Sequence, residues 1–404
     1  MPRAIITGAT GINGTAILQA LSADPTTWTE IHAVSRSLPS SPPSSRIKHT
    51  PLDLLTPPSE ISTHLQSKLT PSSSNEDIPR VALIQVNTVY VFFTAYMEKP
   101  TEEEMADVDG RMLRNFIEGL REAGLEGCLK RVVLTTGAKY YGVQHGPIKL
   151  PAEETDPRVD DPTCPPNFYY VQEDILRDEA RDRNWDWVIC VPNDIIGYAH
   201  GNYMNIASAL AIYATVCHEL SEPLFFPGNE TFYTGWDSHS YSKLIAEFEI
   251  WAALTPQTSN QLLNIVNDDP ATWATNWPRL ATYFNTRIPP DQFSRAAPLP
   301  SSTKLPLAPP IEAYADTAGL AGRIPRSTLE NRVDLVKWSQ RQEVKDAWEK
   351  IVDRSGGKIR SDGLEKATWR FANFVLGRQY SIVISMAKGR ELGWKGWGST
   401  WGGV

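Results

Sequence analysis

Two stretches of this 404-residue chain hold residue types able to do chemistry at a nucleotide. The first is Thr7-Gly8-Ala9-Thr10-Gly11-Ile12-Asn13-Gly14, set between the apolar run Ala4-Ile5-Ile6 and the helix-forming run Thr15-Ala16-Ile17-Leu18. The pattern predicts a buried strand, a glycine turn and a helix whose first N–H groups point into the turn. Those groups and the positive end of the helix dipole favour a diphosphate. Gly8 permits the tight turn, Gly11 lets backbone approach the pyrophosphate, and Gly14 lets helix and strand pack closely. Thr10 and Ile12 complete the expected cofactor contacts of this loop. After the next apolar run, Ile31-His32-Ala33-Val34, the chain reads Ser35-Arg36-Ser37 where NAD-preferring folds place an acidic residue. A guanidinium flanked by hydroxyls suits a ribose 2′-phosphate, so NADP(H) is the expected cofactor, held there by Ser35 and Arg36.

The second stretch is Asn167-Phe168-Tyr169-Tyr170-Val171-Gln172-Glu173-Asp174. A reductase on this kind of scaffold usually carries Tyr-x-x-x-Lys on a helix, so that the lysine lowers the tyrosine's pKa. Here Glu173 follows Tyr169 by four residues and Asp174 follows Tyr170. Neither is a lysine, and a carboxylate would raise a phenol's pKa. The usual dyad is absent. A lysine does stand in Thr136-Gly137-Ala138-Lys139-Tyr140-Tyr141-Gly142, a loop at the carboxyl end of a predicted parallel strand, where the cofactor crevice opens.

These residues must be positioned by alternating strands and helices. Between residues 3 and about 145 the chain alternates apolar runs with amphipathic segments, as parallel α/β folds do. Pro51-Leu52-Asp53-Leu54-Leu55 reads as a short third strand and its exit, with Asp53 and Leu54 near the adenine. Val89 to Thr94 reads as the fourth strand, inside a longer apolar stretch from Val81 to Met97 that reads as buried strand. A helix is expected from about Glu102 to Ala123, and Arg131 to Thr136 as the fifth strand. Thr94, Thr136 and Gly137 then fall at strand ends facing the crevice. Trp187 to Val191 gives a further strand, and Leu262 to Val266 returns to the same sheet. The expected fold is a Rossmann-type doubly wound parallel sheet with an interleaved, mainly helical C-terminal substrate domain. Its parts are an NADP-binding domain over 1–200, with the return strand near 262–267, and a helical lid region over 201–404. That region holds helices at Asn205 to Cys217 and Tyr241 to Leu254, a Pro-rich linker from Ile288 to Pro310, and nine of the 13 tryptophans. An aromatic-rich second half is mostly core, and it also suits an apolar substrate pocket.

Composition narrows the function classes. With 41% apolar and 21% charged residues the chain is an ordinary globular protein, and its net charge of −8 argues against nucleic acid or an anionic membrane as partner. Cys128, Cys164, Cys190 and Cys217 show no paired spacing, so reduced thiols are expected. The seven histidines form no ligand cluster, so no metal is expected. A chain that enters a core strand at once, without a signal or lipidation motif, is expected in the cytoplasm. Nothing in the sequence fixes an oligomeric state, and a homodimer is compatible with it.

Taken in order, the motifs resemble the progesterone 5β-reductase/iridoid synthase-like enzymes, an atypical extended branch of the short-chain dehydrogenases. The likeness runs through the glycine turn, Ser35-Arg36, Thr136-Gly137-x-Lys139-x-Tyr141-Gly142, and Asn167-Phe168-Tyr169-Tyr170-x-x-Glu173-Asp174. It continues in Met204-Asn205, Ile212-Tyr213-Ala214, Phe226-Pro227-Gly228, Leu244-Ile245-Ala246-Glu247, Ile250-Trp251-Ala252-Ala253, Asn264 and Trp369-x-Phe371-Ala372. The resemblance implies catalysis by Lys139 and Tyr169, which hold the carbonyl oxygen of an α,β-unsaturated ketone or aldehyde while NADPH delivers hydride to the β-carbon. A phenol and an ammonium are suitable donors for the enolate charge that such an addition builds. It further implies a pocket for a small apolar carbonyl substrate at Ala95, Tyr96, Tyr141, Met204 and Asn205. Two departures stand out: Val191-Pro192-Asn193-Asp194 lacks the family's arginine, and Ala95-Tyr96 stands where a tryptophan is common. A carbonyl reductase, a non-redox isomerase or cyclase, and an NADP-sensing regulator are alternatives on the same scaffold. A sensor has no need of an oxyanion clamp, which sets that reading last.

Overall fold

The computed structural model describes residues 2–39, 45–69, 88–159 and 164–403. Seven parallel strands form its centre: β1 (Arg3–Thr7), β2 (Glu30–Ser35), β3 (Ile47–Pro51), β4 (Val89–Phe93), β5 (Leu129–Thr135), β6 (Asp186–Pro192) and β7 (Gln261–Ile265). They lie in the order β3-β2-β1-β4-β5-β6-β7. The order reverses between β1 and β4, and a parallel sheet opens its ligand crevice at that switch point. The central strands are near-continuous apolar runs because helices cover both of their faces. On one side α1 (Ile12–Ala23) packs against α6 (Ser242–Leu254). On the other, α3 (Glu102–Glu122) packs between α2 (Pro58–Leu69) and α4 (Phe168–Ala180). Thr101 starts α3 by accepting the Glu104 N–H at 3.2 Å, and three glutamates in the first turn suit the positive end of the helix.

A second core forms around α5 (Ile206–Glu219). Tyr213 stands edge-on to Trp338 at 4.8 Å, and Phe226, Trp273, Trp277 and Trp369 are buried beside them. The division of the chain is less simple than a boundary at 200. Besides the return strand, α6 and the segment from Tyr380 to Trp394 belong to the first core. A buried ion pair joins the end of β6 to the C-terminal segment: Arg378, 1% exposed, donates to both carboxylate oxygens of Asp194, from Nη2 at 3.1 Å. A guanidinium is tolerated at that depth only with such a partner. The Asp194 that departs from the family's pattern is thereby accounted for.

Three expectations need correction or limits. The third strand is Ile47–Pro51, ahead of the expected Pro51 to Leu55, which forms only its exit. Ile47–Pro51 is an edge strand with exposed Lys48 paired to Glu30, and a search for a buried apolar run passes over it. The fourth strand ends at Phe93, and the part of the apolar stretch before Thr88 lies outside the described residues. The Pro-rich linker contains a strand, Ser301–Lys304, paired antiparallel with Thr328–Asn331. Among the described residues no helix is long and apolar enough to cross a membrane.

Candidate active site

A cleft of about 390 Å³ opens over the carboxyl ends of β1, β2 and β4. It is lined by the expected Gly8, Thr10, Gly11 and Ile12, by Ser35, Arg36, Asp53 and Leu54, and by Thr94, Ala95, Tyr96 and Met204. Gly8 has φ +68°, and a Cβ on it would lie 2.8 Å from the Thr94 carbonyl oxygen. The Cβ of any residue at Gly14 would come within 2.2 Å of Gly8 O, so Gly14 serves the close approach of α1 and does not line the cleft. Gly11 begins α1 without a capping side chain, which leaves the first helical N–H groups open to a ligand. One of them, Ile12 N–H, is met by Asn202 Oδ1 at 3.3 Å. An acceptor oxygen from a loop 190 residues away sits where a phosphate oxygen would bind.

The remaining cleft groups are already oriented. Thr94 Oγ1 donates to Thr7 O at 2.8 Å, and Ser35 Oγ donates to Ser37 O at 2.7 Å. Asp53 Oδ1 accepts the Leu55 N–H at 3.0 Å, holding the turn after β3. Arg36 is exposed at the rim. The residues present fit a dinucleotide: a bare helix N-terminus, a turn only glycine can make, and a guanidinium at the ribose end.

Lys139 and Tyr169 meet at the neighbouring strand end. Asn167 fixes them to each other: its Nδ2 donates to Lys139 O at 2.8 Å while its Oδ1 accepts Tyr169 N–H at 3.0 Å. Lys139 Nζ donates to Glu102 Oε1 at 3.1 Å and lies 5.9 Å from the Phe168 ring centre. Phe168 in turn stacks at 4.0 Å on Tyr169 and at 5.5 Å on Tyr96, which faces the cleft. The Tyr169 hydroxyl is packed against Gly137, whose Cβ, if present, would be 2.9 Å from it. Among the described residues that hydroxyl has no hydrogen-bond partner. Burial first, and then the carboxylates of Asp109, Glu102 and Glu98, push the Tyr169 phenol well above its ordinary value. It is therefore a protonated donor at neutral pH.

Three carboxyls around this pair were not legible in the sequence. Glu98 lines the cleft, accepts the Tyr96 hydroxyl, and is pushed upward mainly by burial. Asp109, fully buried in α3, is pushed up to about 7 by burial; its Oδ1 accepts Met97 N–H at 2.9 Å and its Oδ2 has no partner among the described residues. Glu102 is the Lys139 partner. Asn202, Tyr203 and Ile195 also line the cleft without a local signal.

Other expected residues serve the frame. Thr136 Oγ1 donates to Cys190 O at 2.9 Å. Tyr141 is buried and donates to Asn264 Oδ1 at 2.6 Å, outside the cleft. Asn205 caps α5, accepting Ser208 N–H at 3.4 Å, and does not reach the cleft. Glu173, which stands at the place of the missing lysine, turns away from Tyr169 to accept the Tyr140 hydroxyl at 2.8 Å and pair with Arg158 and Arg177.

A doubly wound sheet, a glycine turn at its switch point and a tyrosine–lysine pair at the next strand end define a nucleotide-binding enzyme of the short-chain dehydrogenase type. Residues 4–302 match the family described as a PRISE-like Rossmann-fold domain, and the chain belongs to that family. An uncharacterised protein of Schizosaccharomyces pombe is 41% identical over 403 residues, spanning 99% of this chain and 94% of that one. The 3-oxo-Δ4,5-steroid 5β-reductase of Arabidopsis thaliana is 28% identical, with 97% and 87% covered. A UDP-glucose 4-epimerase structure from Thermotoga maritima shares the fold at TM-score 0.52 and 13% identity, over 71% of this chain and 85% of that one. The protein is an oxidoreductase of this superfamily, whose structurally related members bind a nicotinamide dinucleotide.

Proposed function

We propose that the protein uses NADPH to reduce the C=C bond of a small, largely apolar α,β-unsaturated ketone or aldehyde. The observation that carries this reading is a phenol kept protonated beside a lysine, with no Tyr-x-x-x-Lys geometry to make that phenol a base. Such a pair is suited to holding a carbonyl oxygen as it becomes an enolate oxygen. The chemistry a bound NADPH supplies is a hydride for the β-carbon. Tyr169 Oη–H and Lys139 Nζ donate to the carbonyl oxygen, and an ammonium has three protons, so Lys139 can keep Glu102 while it does so. The charge on that oxygen grows towards the transition state, so both bonds strengthen there and accelerate the step. Ala95, Tyr96 and Met204 form the wall nearest the pair, and their apolar surface selects the substrate. Arg36, at the ribose end of the cleft, supports the choice of NADPH over NADH.

The test is to supply NADPH deuterated at the transferable position with a panel of enones and enals. Deuterium on the β-carbon of the product is expected. Deuterium on a carbinol carbon would replace this reading with carbonyl reduction, and bound NADPH without transfer would refute reduction altogether.

A further inference from the structure

A second cavity, of about 300 Å³, lies away from the cofactor cleft and shares no lining residue with it. One wall is α5, through Leu210 and the half-buried Ala207 and Ala211. The wall opposite carries Trp273 and Leu280 of the helix Trp273–Tyr283, and Trp401. That last wall is fixed in place: Thr400 N–H donates to Asp269 Oδ2 at 2.7 Å, and Thr400 Oγ1 accepts Asn267 Nδ2 at 3.0 Å. Tyr283, exposed at the rim, marks the mouth.

Two polar groups interrupt this apolar lining, and the fold satisfies neither. Trp273 Nε1, in a residue 8% exposed, has no hydrogen-bond partner among the described residues. His239, 3% exposed, stands edge-to-face with it at 5.6 Å, and its ring nitrogens also lack hydrogen bonds. The His239 Nε2 lies 3.4 Å from the buried carboxylate of Asp237. A carboxylate on that side favours the tautomer with its proton on Nε2, which leaves Nδ1 as an acceptor. Leaving buried polar groups unpaired costs about 1–3 kcal/mol each, so an unpaired donor and acceptor beside a cavity mark it as a place for a ligand. The indole can only donate, and the imidazole Nδ1 can only accept. A hydroxyl is the single small group that answers both.

We infer that this cavity binds a flat one- or two-ring apolar molecule bearing a hydroxyl, a phenol or fused-ring alcohol, at a site separate from the cofactor cleft. The volume stands at the lower end of small-molecule sites and suits a ligand of that size. Trp273, Leu280 and Trp401 provide the apolar walls, and the hydroxyl accepts from Trp273 Nε1–H while donating to His239 Nδ1.

The experiment is a ¹⁹F NMR titration of the full chain, saturated with NADP⁺, with 6-fluoro-2-naphthol, and with 2-fluoronaphthalene as the probe without a hydroxyl. Saturation with NADP⁺ keeps the probe out of the cleft. The naphthol is expected to bind below about 1 mM and more tightly than the naphthalene. Ala211→Trp, which fills the cavity, should weaken it at least about tenfold while NADP⁺ affinity is unchanged; Ala207→Trp repeats the test should the first variant unfold. Trp273→Phe should weaken the naphthol about three- to tenfold and leave the naphthalene unchanged. Absence of binding to the NADP⁺-saturated protein, or binding that a folded Ala211→Trp or Ala207→Trp leaves intact, overturns the inference. So does equal loss for both probes in Trp273→Phe.

Discussion

Gly137→Ala tests whether the position of the Tyr169 oxygen carries the chemistry. The backbone at Gly137 is extended, at φ −174°, so alanine is conformationally acceptable there. Its Cβ, however, would stand 2.9 Å from Tyr169 Oη, 3.5 Å from Cζ and 3.6 Å from Cε2. Real Cβ contacts require about half an ångström more, and the ring, stacked on Phe168 at 4.0 Å and nearly buried, has little room to yield. Displacing a catalytic group by about 1 Å costs about 100-fold, so a shift of about half that is expected to lower turnover about tenfold. The assay is kcat on an accepted enone, with NADPH affinity and melting temperature measured in parallel. The decisive comparison is the same substitution in the Tyr169→Phe background, where no oxygen remains to be displaced and Gly137→Ala should have little further effect. An equal loss in both backgrounds would mean that Gly137 serves the cofactor or the fold, and the placement argument would fail.

Four further outcomes follow from the geometry. Tyr169→Phe and Lys139→Met each remove one donor and should each cut turnover about 100-fold, or about 3 kcal/mol, with NADPH binding nearly intact by calorimetry. Arg36→Ala should weaken NADPH far more than NADH; equal weakening would reduce Arg36 to surface. Asn202→Ala removes the oxygen that occupies the Ile12 N–H and should tighten cofactor binding severalfold in a direct titration, whereas weaker binding would mean that Asn202 holds the cofactor. Asp109, pushed up to about 7, binds a proton in the folded protein that it has lost in the unfolded chain between about pH 4 and 7. Stability therefore falls as pH rises through that window, and Asp109→Asn should flatten the fall and raise the melting temperature at pH 8. A parallel pH profile in that variant would exclude Asp109 as the source.

The glycine turn could be read in the sequence because its chemistry is local: a strand, a φ that only glycine readily adopts, and a helix start lie within a dozen residues. The Arg36 end was legible for the same reason. Lys139 and Tyr169 were reached through the order of motifs, since no short spacing joins them. What joins them is Asn167, which touches both. Glu98, Asp109 and Asn202 were invisible, because a carboxylate's or amide's role there depends on chain segments brought together only in the folded protein. The edge strand Ile47–Pro51 was missed because half-polar strands do not form apolar runs. Tyr141 and Asn205 show the opposite difficulty. Both sit in motifs near the cleft, yet one became an internal hydrogen bond and the other a helix cap, and an asparagine before a helix carries that signal by itself.

The contact between Asn202 and the first turn of α1 turns cofactor association into an exchange. An incoming diphosphate takes the Ile12 N–H only as the amide oxygen leaves it. The same loop carries Met204, two residues on, into the wall nearest the catalytic pair, and Asn205 begins α5 directly after it. The reshaping of that wall is thus tied to the arrival of the dinucleotide. The kinetic signature is compulsory order, with the cofactor first on and last off. In product-inhibition experiments NADP⁺ should then compete with NADPH and be non-competitive towards the enone.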